Sequence, residues 1–534
     1  MTMQTVCGLY MIQDCLDNIG NEFVLMFMNQ KKTGLPFLLF LTTPQPSPVT
    51  VRIRTPHALS AVPIDMTLLV YNTNLTNVVL PETLKSSLNC EKTYKSLLVT
   101  SDDVIVLYAS NMQHKSTDSM VIYPTDTLSN EYIAVSRISD KPNPAYKGSQ
   151  IGVVALGSGV ISFYLPPTVS VLYNSTTYTE EMHVTLNMYE VFHLVTTDVT
   201  GIVVKASIKM AVFCGHSFMK FGEDSGDHME VMLPPIQSLD RQYLVARKPS
   251  IKYRPELIRI VSTSVATHVN ISNGINTTSV ELLIVGSYFD YELASTSFII
   301  NADKAILVAH ISPSRSIDGQ IGDSSMSLAF CPNYLSSFYT FGVPATSDSN
   351  LHQYNLLIIV EETYVNNVLF DEVPLGLVNW TNIADSGFVV TEIEDITDNR
   401  HTLSSDGPEI RMAGVINGFG YGEQFQTVIG RYLGVPRDQI NTTKDEDTEP
   451  FRESSITQRF IDYLPSEDPF YNVTTRSRVQ CSTLCLECSA CYLLATRSLL
   501  GVINGPFTCA LYTSVAASGP LQPAPGYTLY RRFS

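Results

Sequence analysis

The stretch GDHMEVMLPP, residues 226–235, reads in isolation as a site, but beside two other stretches it reads as one copy of a repeat. Residues 117–124 are TDSMVIYP and residues 322–332 are GDSSMSLAFCP. Each places an acid in a Gly/Ser/Thr turn, a methionine soon after it, an apolar strand, and then proline. Asp118, Asp227 and Asp323 recur, as do Met120, Met229 and Met326, which advance by 109 and 97 residues. A recurring Asp in such a turn is expected to accept nearby backbone N–H groups, with the methionine packing inward. A second marker keeps step with the first. EFVLMF (22–27), EYIAVS (131–136), QYLVAR (242–247) and FYTFGV (338–343) carry Phe23, Tyr132, Tyr243 and Tyr339, spaced by 109, 111 and 96 residues. Markers that advance together define a tandem repeat of about one hundred residues, which is looked for before any single element is assigned.

Within each copy an apolar strand leads through a polar hinge to an alternating strand: LLFLTTPQPSPVTVRI (38–53), IGVVALGSGVISFYL (151–165), LIRIVSTSVATHVNI (257–271) and YNLLIIVEETYVNNVLF (354–370). The alternation in VTVRI and THVNI is the period-two signature of half-buried strands. Further on, LLVTSDDVIVLYASN (97–111), IVVKASIKMAVFCGH (202–216) and FIINADKAILVAHIS (298–312) read as a pair of strands around a turn, with a weaker fourth version in TLSSDGPEIRMAGVING (402–418). Six to eight short strands per copy suffice for a small sandwich. The expected fold is therefore all-β: four tandem β-sandwich-like repeats at about 21–128, 129–238, 239–335 and 336–434, packed side by side or closed into a ring. Copies this long exceed a propeller blade of about 40–50 residues. Residues 1–20 form an N-terminal segment. Residues 435–456, charged and poor in large apolar side chains, read as an acidic linker. Residues 457–534 form a small disulfide-rich α+β domain.

Thirty-four basic against fifty-one acidic residues give a formal charge of −17, which argues against a nucleic-acid partner because Lys and Arg must supply the phosphate contacts. Tyr 27 and Phe 23 against Trp 1, with 29 Gly and 29 Pro, favour short strands and turns. Seven sequons, at Asn74, Asn174, Asn270, Asn276, Asn379, Asn441 and Asn472, are glycosylation candidates on a secretory route. No run of about 20 apolar residues offers a membrane span. The first residues lack a basic n-region and an apolar h-region, so an extracellular, secreted chain with an incomplete N-terminus is expected.

Cys214, His216 and His228, with Glu223, Asp224, Asp227 and Glu230 beside them, are the one cluster with metal or acid–base potential. Histidine does not recur at the matching positions of the other copies, and a structural turn is the preferred reading. GDSS at 322–325 resembles an esterase nucleophile motif, yet it is the third copy of the repeat turn. GFGYGEQ (418–424) lacks the Lys-Ser/Thr pair and following helix of a phosphate loop, and neither G-x-S-x-G nor H-E-x-x-H occurs. His352 and His401 read as isolated. No cofactor and no enzymatic activity are expected. Of the ten cysteines, Cys7 and Cys15 are close enough in sequence to pair, while Cys481, Cys485, Cys488, Cys491 and Cys509 cluster within twenty-nine residues. Disulfides are the preferred reading there over zinc, because C-x2-C-x2-C lacks a separated second pair and a nearby histidine.

YASNMQHKSTDSMVIYP, DVTGIVVKASIKMAVFCGHS, GDHMEVMLPP, and INADKAILVAHIS followed by GDSSMSLAFCP resemble the N-terminal domain of the IgG Fc-binding protein family over about 22–430. The tail, about 457–534, resembles a PAN/apple module through Cys481 and Cys485 one helical turn apart, Cys491 before an apolar run, and C-x-L-Y at Cys509. That resemblance implies Cys481–Cys509 and Cys485–Cys491 bridges, with Cys488 left over. Family members often carry cysteines flanking the G-H-S and D-H motifs; Gly226 precedes Asp227 here, so no local bridge to Cys214 is implied. Von Willebrand D-type and trypsin-inhibitor-like modules are missing from this chain, and the motifs define no Fc-contacting residue. The resemblance implies a secreted adhesion or recognition protein that takes an extracellular protein or glycan ligand, in the manner of mucus or innate-defence components. Two alternatives are an extracellular metal-dependent or hydrolytic protein centred on His216 and His228, and a self-associating matrix protein.

Overall fold

The computed structural model describes residues 18–141, 148–222, 226–248, 255–294, 296–314, 322–344, 351–407, 410–420 and 423–433. Strands at 456–465, 471–475, 493–498, 507–512 and 521–532 are described as well. The chain divides into two compact units, Met1–Ile440 and Asn441–Ser534. The fold is all-β, and the longest helical element among the described residues is the six-residue 3-10 turn Glu362–Asn367.

Each repeat of the first unit is organised by one long strand that crosses from one sheet to the other. In the first repeat, Leu97–Gln113 pairs through Leu97–Ser101 with Gly20–Leu25 and Val49–Arg54, then through Val106–Gln113 with Phe37–Thr42 and Ser116–Ile122. Val203–Met219 and Phe298–Ser312 do the same in the second and third repeats. These segments were expected to be two strands around a turn, and here the structure differs. The polar residues at the midpoint do not reverse the chain. They form an irregularity at which the opening strand's register jumps, from Glu22↔Thr100 to Gly20↔Ile105 for example, and the two halves serve different layers. In the fourth repeat the crossing strand is interrupted, as Arg400–Ser405 and Met412–Gly420, and the intervening sequence contains Gly407 and Pro408, which suit a continuous ladder poorly.

The recurring aromatic at the start of each repeat pins the crossing strand. Tyr132 donates its hydroxyl proton to the Met210 carbonyl at 2.8 Å and accepts from the Ser129 N–H at 3.0 Å. Tyr243 makes the same pair with Ile306 and Asp240, and Tyr339 with Met412 and Ser336. The first repeat has Phe23, which fills the volume without the polar tie.

Burial separates outer from inner strands. Val49–Arg54, Glu181–Leu186 and Thr267–Ser272 alternate buried and exposed residues, as a sheet with one wet face must. The last strands of the four repeats, Ser116–Ile122, Asp227–Met232, Ser325–Leu328 and Glu423–Val428, are buried at every position. They contact one another in cyclic order, first to second, second to third, third to fourth and fourth to first, so the repeats close into a ring. Closure is both apolar and polar. The first and fourth repeats share a hydrophobic core, and Tyr108 donates to the Ile429 carbonyl at 2.8 Å across 321 residues of sequence. Between the second and third repeats two glycine backbones touch: a Cβ on Gly201 would lie 2.1 Å from the Gly286 oxygen, and both residues have positive φ.

The second unit contains a five-stranded antiparallel sheet in the order Ile456–Pro465, Leu521–Arg532, Leu493–Ser498, Phe507–Tyr512, Tyr471–Thr475. Cys509 lies in its fourth strand. Cys481, Cys485, Cys488 and Cys491, like Cys7, Cys15 and most of the 435–456 segment, lie outside the described residues.

Two substitutions test these constraints by urea unfolding. Tyr243→Phe removes a hydroxyl that satisfies two buried backbone groups, and is expected to cost about 1–3 kcal/mol. Gly201→Ala meets both a backbone clash and an unfavourable φ, and is expected to cost more than about 1 kcal/mol.

Candidate functional site

The trio singled out in the sequence is split by the strand pleat. Cys214 and His216 lie on one face of Val203–Met219, opposite Val231 and Met229. His228 and Glu230 project from the other face of the partner strand, toward the first repeat. Cys214 is part of the second repeat's apolar core, unbridged, and burial pushes its thiol up to about 12. The His216 Nδ1 accepts the Phe218 N–H at 3.0 Å, and burial, with the His228 ring and Arg137 beyond it, lowers His216 to about 3. Among the described residues no cluster of three or more His, Cys, Asp or Glu side chains has the arrangement of a metal site.

His228 belongs to a buried polar seam between the first and second repeats. Its Nε2 lies 3.0 Å from Glu230 Oε2 and 3.1 Å from the Asn111 side-chain amide. Glu230 Oε1 accepts the Met28 N–H at 3.2 Å, and the Glu230 N–H donates to Asp118 at 2.6 Å. Nearby, the Gln150 amide pairs with both backbone groups of Asn29, at 3.0 and 2.9 Å, and receives His193 Nε2 at 2.9 Å. Burial holds His193 down at about 4 against the upward pull of the Asn89 and Ser87 backbone groups, with the neighbouring His228 adding the smallest effect.

Other seams use the same device with different residues. Between the second and third repeats, Arg259 forks onto Asp290 at 2.8 Å through both Nε and Nη2 and donates Nη1 to the Ser136 carbonyl at 2.6 Å. Between the third and fourth, the buried Lys248 ammonium meets Glu256 at 3.0 Å, Ser312 at 2.8 Å and the Gln426 amide oxygen. Burial alone would raise Glu256, but His310 and Lys248 outweigh it and hold the carboxyl low. His401, expected to be isolated, is instead buried against Phe370, with Nδ1 2.7 Å from Asp371. The side chain of His352 is outside the described set.

The recurring acids reach the centre of the ring. Asp118, Asp227 and Asp323 each take the N–H of the next residue, at 2.8 to 2.9 Å, which is the turn role their surroundings suggest. They are nevertheless buried, and Asp118 and Asp227 bond across repeats. Asp118 receives Glu230 N–H, Asp227 receives Gln424 N–H at 3.3 Å, and Glu423, the fourth copy's acid, receives Lys115 N–H at 2.6 Å and the Thr117 hydroxyl at 3.1 Å. Burial pushes Asp118 and Asp227 well above the usual carboxylate range, and Asp323 beside it adds to the shift at Asp227. The acidic pattern visible in sequence missed this role because Glu423 does not match the Asp/Met signature. Its signal was position, at the start of the fourth closing strand.

Five sequon asparagines, Asn74, Asn174, Asn270, Asn276 and Asn379, are exposed. Asn441 and the side chain of Asn472 lie outside the described residues. Large apolar side chains are exposed at one end of the third repeat, where the Ala266 N–H bonds the Leu283 carbonyl at 3.1 Å. Val265, Leu283, Ile284 and Val285 are 59, 66, 47 and 38% exposed there.

The family model described as IgGFc binding protein matches residues 118–415, more than half of the chain and narrower than the 22–430 span of the sequence resemblance. A search of curated proteins returns no match.

The seam histidines give a signed pH effect. An unfolded histidine protonates near 6.5, whereas His193 in the fold resists to about 4. Between those values the unfolded state binds the extra proton, so acidification destabilises the fold through this group, while Asp118 and Asp227, whose affinity for a proton burial raises in the fold, act in the opposite sense. The difference between wild type and His193→Gln isolates the histidine. From pH 7 to 4.5, chemical unfolding is expected to show a loss of stability smaller in the variant by on the order of 1–3 kcal/mol.

Proposed function

The chain belongs to the IgGFc binding protein family, and from that premise we propose that it is a secreted, non-catalytic recognition protein whose ring of sandwiches serves as a rigid platform for an extracellular protein ligand. The family match carries the reading. It is supported by the use made of the reactive side chains: the Cys214 and Cys331 thiols are buried with raised pKa, and the seam histidines bond inward, so these groups serve cohesion. Among the described residues no helix is long and apolar enough to cross a membrane. The exposed sequons suit glycosylation in the secretory pathway.

The contact surface we assign is the apolar end of the third repeat. Contiguous exposed aliphatic groups of this kind are disfavoured on a surface that stays wet, and suit the dry centre of a protein interface. The second unit, by its cysteine spacing, is read as a PAN/apple-like head stapled by Cys481–Cys509 and Cys485–Cys491, a separate module for protein or glycan ligands. Peptide mapping without reduction tests those two pairings.

Immobilised Fc, a panel of extracellular proteins and a glycan array, probed with the full secreted chain, test the recognition role. A saturable protein ligand is expected, and Ile284→Asp is expected to weaken it by tenfold or more, about 1.4 kcal/mol. Binding that Ile284→Asp leaves unchanged would move the contact elsewhere. Turnover of a substrate by the purified chain, or concentration-dependent oligomers in sedimentation without any ligand, would replace the recognition reading by a hydrolytic or a self-associating one.

A further inference from the structure

Where the four closing strands converge toward their C-terminal ends, they leave a cavity of about 20 Å³, room for one water molecule or one compact ion. Its walls are mainly apolar, including Met120 from the first repeat, Val231 from the second, Leu328 from the third and Val428 from the fourth. Arg431, which follows the fourth closing strand, supplies its one cationic group. We propose that this cavity is a binding site for a single anion of the halide class, held by the Arg431 guanidinium.

Arg431 is only 4% exposed. Its Nη2 donates to the Leu328 and Ala329 carbonyls at 3.0 and 3.3 Å, and the guanidinium sits 5.6 Å from the Phe330 ring centre. Nε is buried with no partner among the described residues, and no carboxylate there forms an ion pair with this arginine. Asp240, which lies by Cys331 in the same corner, is engaged by Asn333 Nδ2 at 2.7 Å and the Arg241 N–H at 2.6 Å. A guanidinium is always charged, and burying it without a counter-charge is costly.

The guanidinium, more than the walls, separates the two occupants. A buried water needs two to four polar partners. Gln426 has committed both ends of its amide, to Lys248 and to the His310 carbonyl at 2.7 Å, but Tyr123, Ser327 and Thr427, which also line the cavity, carry hydroxyls, and that of Thr427, which accepts the Val121 N–H at 3.1 Å, keeps its proton to donate. What favours an anion over water is the buried guanidinium charge, which an anion balances and a water does not. The volume is too small for a carboxylate or phosphate ester with an organic group attached. Because all four repeats line the cavity, the ion would act as a pin at the point where the ring closes.

The test uses the full chain and does not depend on the recognition role. Thermal unfolding is followed at constant ionic strength while gluconate, too large to enter, is replaced stepwise by chloride. Above the half-saturating concentration, each tenfold rise in chloride is expected to multiply the folded-to-unfolded ratio by up to about ten. In Arg431→Met that dependence is expected to vanish. Should that variant fail to fold, crystals of the unaltered protein grown in bromide decide the matter through an anomalous peak beside the Arg431 Nε. Unfolding that is identical in chloride and gluconate, or a cavity in bromide crystals holding only water, overturns the proposal.

Discussion

The closing strands are buried on both faces, and a two-layer sandwich by itself covers only one face of each sheet. Asp227–Met232 shows the consequence: Met229 and Val231 pack into their own repeat, while His228 and Glu230 face the first repeat. No copy can complete its inner layer alone. The ring follows from that requirement, because each closing strand finds its second cover on a neighbouring copy.

Burial on the inner face fixes the chemistry of everything placed there. Polar groups that enter must be matched, which is why the seams contain paired amides, forked arginine and caged lysine. It also explains why three seams that do the same mechanical work have no common sequence. Gln150 with Asn29, Arg259 with Asp290 and Ser136, and Lys248 with Glu256 and Gln426 are different solutions to the same desolvation problem. The acids at the centre are held with displaced protonation for the same reason. Buried titratable groups of this kind resemble a catalytic cluster in composition. Their hydrogen bonds run from copy to copy.

Strand type and repeat period were legible because they are written locally. VTVRI and THVNI alternate along the chain and alternate in burial. The aromatic marker at 132, 243 and 339 was visible as a spacing, but its reason, a hydroxyl bridging two backbone groups, was not, since Phe23 keeps the spacing without the bond. The midpoint of the crossing strand was read as a reversal because polar residues between apolar runs signal turns and bulges alike. Which of the two forms depends on whether the flanking halves pair with each other or with separate sheets. That is a long-range fact.

The sequence by itself determined an all-β chain of four copies, with an acid and a methionine at the head of three of the closing strands. It also isolated Cys214, His216 and His228 as peculiar to the second copy. Only the tertiary structure decided that the copies close on themselves, that His216 and His228 face opposite ways, and that the recurring acids meet at the centre. The physical reason is the range of the interactions. Alternation and spacing act between residues a few positions apart, whereas the bonds that close the ring, Tyr108 to Ile429 or Thr117 to Glu423, join residues more than three hundred positions apart and leave no periodic trace.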